Sequence, residues 1–277
     1  MANEAQQENW NGPGGQNWVR YQRAIDQAIG VFGEAGLNAL SPAEGEHIID
    51  VGCGAGTMSM ELARRVGPPG KVLGLDFSLP LLTLARERCA PHANVTLLHG
   101  DAGEPRSDRD FDALFSRFGV MFFEDPARSF ANLRETLGPD GRLAFITWQA
   151  RERNPWVLEP TKCMLPFLPE PPVPPAPNSP GPFGLGDPDF AREQLEQAGF
   201  QGVEFQSVEA PMIFSTEGVA AAVDFEMNIG PAARLAKDLD ESSIRGMREA
   251  YARLFEQNCQ GQTVTLPAAA WLVTARR

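Results

Sequence analysis

The sequence has little of what metal, redox and disulfide chemistry require. Its 277 residues hold four cysteines, Cys53, Cys89, Cys163 and Cys259, all far apart and none in a C-x-x-C pair. That scatter argues against a disulfide framework and reads as buried or incidental thiols in a reducing compartment. The three histidines, His47, His92 and His99, show no ligand spacing, so no metal site is expected. No run of Lys or Arg is long enough to track phosphates, and a net charge of −12 disfavours nucleic acid as a partner. No stretch approaches the roughly 18 apolar residues of a spanning helix. Residues 1–8 lack the basic start and apolar core of a signal peptide. These absences lead us to expect a soluble, cytoplasmic protein with no membrane span. No internal repeat is visible, and the sequence leaves the oligomeric state open.

What the chain does have is glycine in one telling place. Ile48-Ile49-Asp50-Val51 reads as a strand, Gly52, Gly54 and Gly56 follow two apart, and a helix is expected from Thr57. Glycines at a strand-to-helix turn allow positive φ and let a ligand approach the backbone without meeting a Cβ. A second strand, residues 71–76, ends in Asp76 about twenty residues on, where a doubly wound sheet places a carboxylate against ribose hydroxyls. The third strand, 94–99, leads into Gly100-Asp101-Ala102, and the fourth ends at Ser116. Ligands of open α/β sheets bind at the carboxyl ends of the strands, so Asp50, Asp76, Asp101 and Ser116 should surround one crevice.

The nicotinamide fingerprint G-x-G-x-x-G/A would put its third glycine at position 57, where Thr57 stands. The pattern Asp50-x-Gly52-x-Gly54-x-Gly56 instead resembles the first motif of the class I S-adenosylmethionine-dependent methyltransferases, in the ubiquinone/menaquinone-biosynthesis type of branch. The resemblance covers residues 48–148. It implies a doubly wound, mostly parallel, seven-stranded α/β sheet of the Rossmann-like methyltransferase fold, and S-adenosyl-L-methionine as cofactor. Under it, Gly52, Gly54 and Gly56 line the methionine and ribose, and Asp50 holds the ammonium. Asp76 takes the ribose hydroxyls and Phe77 lies against adenine. Asp101 and Ala102 meet the adenine edge, and the Ser116 backbone lies near the methionine end.

Outside that region the chain divides into four further parts. Residues 1–47 carry Trp10, Trp18 and Tyr21 around a glycine stretch that reads as flexible, then a helix over 17–32; the resemblance implies that this arm covers the site. Within 151–214, residues 155–188 hold 12 of the 24 prolines, which forbids regular helix or sheet there. A helix from 188 to Gly199 and a strand over 203–214 continue the core. Residues 215–262 read as a helical cap insertion, and 263–277 hold the last strand, expected at the sheet edge over 268–275. The acceptor pocket is expected from Trp10, Trp18, Tyr21, Phe118 and Phe122, with the Pro-rich stretch and the cap, because these segments supply aromatics and methionines.

The implied activity is methyl transfer from S-adenosylmethionine to a small, largely apolar acceptor by in-line displacement in a dry pocket. A non-catalytic S-adenosylmethionine- or nucleoside-binding regulator and a nicotinamide-dependent oxidoreductase are the other readings. Neither the acceptor nor the methylated atom is legible. The candidate bases are His99, Tyr21, Tyr251, Asp224 and Glu226, and none can be singled out. His99 is expected in the core or beside adenine, and Asp224-Phe225-Glu226 on a solvated helix face. Rate is therefore expected to come mainly from aligning the acceptor with the methyl.

Overall fold

The computed structural model describes residues 4–107, 109–236 and 239–277. Three helices, α1 (Glu4–Asn11), α2 (Pro13–Arg20) and α3 (Gln22–Leu40), precede the sheet. Strands and helices then alternate as β1 (His47–Val51), α4 (Thr57–Val66), β2 (Lys71–Asp76), α5 (Leu79–Cys89), β3 (Val95–His99), β4 (Phe111–Arg117), α6 (Pro126–Arg134) and β5 (Leu137–Trp148). The remainder is α7 (Pro155–Met164), α8 (Pro188–Gln197), β6 (Gln201–Ser215), α9 (Val219–Ile229), α10 (Ala232–Leu235), α11 (Glu241–Gln257), β7 (Cys259–Gln260) and β8 (Thr263–Arg276).

The sheet runs β3-β2-β1-β4-β5-β8-β6, with the two-residue β7 pairing β8 off this path. Pairs from β3 to β5 are parallel, and β8 is antiparallel to both its neighbours. Strand order reverses between β1 and β4, which opens a crevice at their carboxyl ends. Strands covered on both faces need apolar residues at every position. In β1, Ile48 packs with Leu62 and Val66 of α4 on one face, while Ile49 and Val51 enter the larger core on the other. β3, at the edge, is half exposed.

Local signals set most boundaries. Ser78 caps α5 through its Oγ, which accepts from the Leu81 amide, and Asp125 and Asp187 cap α6 and α8 just ahead of a proline at the first helical position. Three expectations differ. The helix expected over 17–32 is two helices, α2 and α3, meeting at Tyr21, and the glycine stretch before Asn17 is already helical. Within the Pro-rich stretch, α7 forms with Pro160 inside it. A proline costs its own amide bond, but buried Asn154 compensates from outside. Its carbonyl accepts from Val157 and Leu158, and its side chain bonds Trp156, Gln149, Ala150 and Ala269. Finally, β8 is an inner strand: it lies between β5 and β6, and β6 is the edge.

No helix among the described residues is long and apolar enough to cross a membrane.

Candidate active site

The three glycines after β1 do different work. Gly52 has φ +69, and a Cβ there would stand 2.7 Å from the Gly119 Cα. Gly56, at φ +81, would put a Cβ 2.7 Å from the Cys89 Sγ. Both are required by the protein's own packing. Gly54, at φ +54, faces open space within 4 Å, so it leaves room for something outside the chain.

Asp76, at the end of β2, closes the turn. Its Oδ2 accepts from the Gly54 amide and its Oδ1 from the Ser78 amide, both at 2.8 Å. Burial is the largest influence on this carboxyl and pushes its pKa up, partly offset by these amides. Asp50 lies wholly inside the fold, where its Oδ2 accepts from the Ser59 hydroxyl at 2.6 Å. Burial raises its pKa to about 6 against the pull of Ser59 and the Arg117 charge. The Ser116 hydroxyl donates to the Val51 carbonyl at 2.8 Å and accepts from the Gly119 and Val120 amides. It staples the loop after β4 against the glycine turn.

Asp101 lies one strand further out, where Gly100 donates to the Asp76 carbonyl. Its Oδ1 accepts from the Gly103 amide at 2.8 Å, a local turn bond, and Ala102 is buried. The Phe77 carbonyl accepts from Asn11 and lies 3.1 Å from His99 Nε2. His99 is exposed on the edge strand and not core-facing.

The N-terminal helices sit directly on this crevice. The Ser78 hydroxyl donates to the Trp10 carbonyl at 2.7 Å, and Asn11 accepts from the Leu79 amide. Trp10 packs edge-on to Trp18 and to Phe122, with centroids 5.0 and 5.6 Å apart. Tyr21 donates to Asp224 of α9 at 2.5 Å, and Asn17 to the Asn228 carbonyl at 2.9 Å. Burial and the Asp224 carboxylate push the Tyr21 phenol up to about 12. The Gly181 amide of the Pro-rich stretch donates to the Met121 carbonyl. The N-terminal arm thus touches both the loop after β4 and the cap, and the Pro-rich stretch touches that loop.

Two expectations change. Phe118 lies in the core, stacked on Trp148 at 4.2 Å, with φ +61. Asp224 and Glu226 are not on a solvated face: Asp224 is half buried against Tyr21, and Glu226 is 3% exposed. Folding also places Cys53 and Cys89 beside the glycine turn, where burial raises both thiols and keeps them protonated. Among the described residues no group of His, Cys, Asp and Glu could hold a metal.

One part of the site was invisible in the sequence. Asp26 of α3 accepts from Thr57 at 2.7 Å, from Arg117 at 3.2 Å, from Arg88 at 3.3 Å and from Gln22. Arg88 also donates to the Ala55 carbonyl at 2.8 Å. The network bolts α3 to the glycine turn, and apart from Gln22 on the same helix its partners lie 31 to 91 residues away in sequence. Only the amphipathic pattern of the helix, which leaves Asp26 near its apolar side, hinted at it.

Comparison with known proteins agrees with this geometry. Residues 48–141 match the family model described as a methyltransferase domain. Demethylmenaquinone methyltransferase of Staphylococcus aureus is 37% identical over 104 residues, covering 37% of this chain and 43% of that protein. The chain thus spans less than half the length of the curated relatives it matches. Among solved structures, a protein of Bacillus halodurans C-125 aligns with 87% of this chain and 97% of its own (TM-score 0.55, 20% identity). Phosphoethanolamine N-methyltransferase 2 of Haemonchus contortus, solved with phosphomonomethylethanolamine and S-adenosylhomocysteine, aligns with 92% of this chain and 56% of its own (TM-score 0.55, 17% identity). These two likenesses show the fold alone. Residues 48–141, which form this crevice, thus match a methyltransferase domain and are similar in sequence to a methyltransferase of the quinone-biosynthesis type.

Proposed function

We propose that the chain transfers the methyl group of S-adenosylmethionine to a small, largely apolar acceptor. The observation that carries this reading is the bond from the Gly54 amide, in the turn after β1, to Asp76 at the end of β2, at the one glycine of the turn with open space around it. A carboxylate held there by two amides keeps lone pairs for ribose hydroxyls, which are charge-assisted donors to it. Asp101 and Ala102 lie at the adenine end and Ser116 at the methionine end; Asp50 acts on the ammonium from inside the turn.

The helices α1 and α2 form a roof over the crevice, and α7 with α9–α11 forms the cap. Trp10, Trp18, Tyr21 and Phe122 line the acceptor's approach, while Phe118 supports the wall from behind. The relative from Staphylococcus aureus is named for methylating demethylmenaquinone, which favours an apolar acceptor here. Methyl transfer is an in-line displacement, so an oriented, dry encounter can supply about 7–11 kcal/mol of the barrier. Removing water also strengthens the fixed dipoles around the sulfonium.

Titration calorimetry with S-adenosylhomocysteine, S-adenosylmethionine and NAD tests the reading. The two S-adenosyl compounds should bind and NAD should not. Asp76→Ala should lose about 1.5–3 kcal/mol of S-adenosylhomocysteine affinity, the range for hydrogen bonds to a charged group. Unchanged affinity would remove the ribose assignment. Formation of S-adenosylhomocysteine with apolar acceptors separates an enzyme from a protein that only binds.

A further inference from the structure

Inside the cap are two polar groups that the cofactor crevice does not use. Glu226 of α9 is 3% exposed, and its Oε1 has no hydrogen-bond partner. Tyr251 of α11 is fully buried, and its hydroxyl has none either. Buried polar groups are almost always satisfied, and an unpaired one calls for an occupant. The Glu226 carboxyl acts electrostatically on Tyr251 and on Cys163 of α7, and Cys163 acts on Tyr251. Helices α7 and α9 both pack on α11, which brings these three groups within electrostatic range inside the cap. These helices follow β5 and β6, whose carboxyl ends lie on the side of the sheet that carries the glycine turn.

The surroundings specify the occupant's charge. Glu226 lies in the last turn of α9, with its carboxyl folded against Gly230, where a Cβ would stand 2.0 Å from Oε1. A helix carboxyl end carries partial negative charge and favours cations. Among the described residues no basic side chain bonds to Glu226, and burial alone drives its pKa to about 8. The titratable groups facing it are Tyr251 from α11 and Cys163 from α7, both acids, whereas Asp224 on the same helix turns to Tyr21. Phe214 and Phe255 adjoin, with centroids 5.0 Å apart, and Phe255 stacks on Tyr251. Aromatic faces and a carboxylate together attract an ammonium group and repel an anion.

We infer that Glu226 and Tyr251 form the polar anchor of the acceptor site and take an ammonium group carried on an apolar body. This deepens the proposed methyl transfer and rests on it, naming the acceptor's class as an apolar amine. On binding, Glu226 gives up its proton to solvent and pairs as a carboxylate with the ammonium, while the Tyr251 hydroxyl donates to the same carboxylate or accepts from the ammonium.

Phenethylamine and phenethyl alcohol, which share one apolar body, are the probes. Calorimetry at pH 7 in buffers of different ionisation enthalpy, with and without S-adenosylhomocysteine, reads affinity and proton release together. The amine should bind at least about tenfold tighter than the alcohol and release close to one proton, because the free carboxyl is mostly protonated at that pH. In Glu226→Gln the preference should shrink to within about twofold and the proton release vanish, with S-adenosylhomocysteine affinity unchanged. Tyr251→Phe should weaken the amine by about fivefold and keep the proton release. Equal binding of the two probes, a preference for the alcohol, or proton release that survives Glu226→Gln would each overturn the inference. A protein that binds S-adenosylhomocysteine but does not discriminate the probes loses this inference alone. One that fails to bind S-adenosylhomocysteine loses the proposed function.

Discussion

At the residue scale the glycine turn separates two duties that the sequence pattern merges. Gly52 and Gly56 have positive φ and no room for a Cβ, so alanine at either strains the backbone and collides with Gly119 or Cys89. Each should cost about 1–3 kcal/mol of stability, visible as a lower Tm. Gly54 has a positive φ but open space. Gly54→Ala should therefore cost less stability, about 1 kcal/mol, and lose S-adenosylhomocysteine affinity out of proportion. A Gly54 variant with unchanged affinity would show that the cofactor does not approach the backbone there. Glu226 is the other instructive residue. Its folded pKa, about 8, lies above the 4.5 of an unfolded chain. The raised value means that the folded state holds a proton which the unfolded state has released. Stability relative to a neutral side chain is thus full below about pH 4.5 and falls as pH rises towards 8, by about 1.4 kcal/mol per pH unit. Thermal melts from pH 5 to pH 8 should show wild type losing more Tm than Glu226→Gln. Parallel losses would mean that the carboxyl is solvated.

At the element scale, the features that build the site are junctions between helices and the sheet edge. The bolt at Asp26 ties α3 to the turn before α4 and, through Arg88, to α5. Arg117 and Arg88 are only 12% and 22% exposed at the side chain, so removing their carboxylate leaves two poorly solvated cations. Asp26→Ala should lower stability by about 1–3 kcal/mol and weaken S-adenosylhomocysteine, since the turn loses its backing. Asp26→Asn, which keeps the acceptor oxygen, should recover part of both losses in the same melts and titrations. If Asp26→Ala melts like wild type, the bolt is incidental. The break at Tyr21 belongs to this scale as well. It lets α1 and α2 lie back over Ser78 and α5 while Tyr21 reaches α9, so one kink joins the roof to the cap. No glycine or proline stands at the kink itself, where Tyr21 bonds α9 while the helices before it dock on α5.

At the scale of the whole molecule, the chain from β1 to β5 was largely legible before any coordinates. The boundaries of β1, α4, β2 and α5 follow from apolar runs, a glycine turn, a serine cap and an acid at the strand end, all within a few residues of one another. The crevice was legible for the same reason. A switch point is a consequence of strand order, and the strands announce their carboxyl ends through Asp50, Asp76, Asp101 and Ser116. The later half carries weaker local signals. β8 looked like an edge strand because only 268–275 is strongly apolar, yet it runs from Thr263 to Arg276 and lies between two partners. The prolines of 155–188 suggested irregular chain, and α7 formed because buried Asn154 ties its start to β8. Such support comes from more than a hundred residues away and leaves no local mark.

Local sequence is enough for the class of fold and for the kind of domain that residues 48–141 form. Those depend on short-range chemistry: glycine at positive φ, alternation of apolar runs, capping side chains and the acid that ends each strand. Only the tertiary structure decided that Gly54 is the open glycine, that Asp26 backs the turn and that Phe118 is core. It also leaves Glu226 Oε1 and the Tyr251 hydroxyl buried without hydrogen-bond partners inside the cap. Whether a helical glutamate faces water or a protein interior is set by which helix packs over it, and that depends on chain segments whose contacts no local pattern encodes.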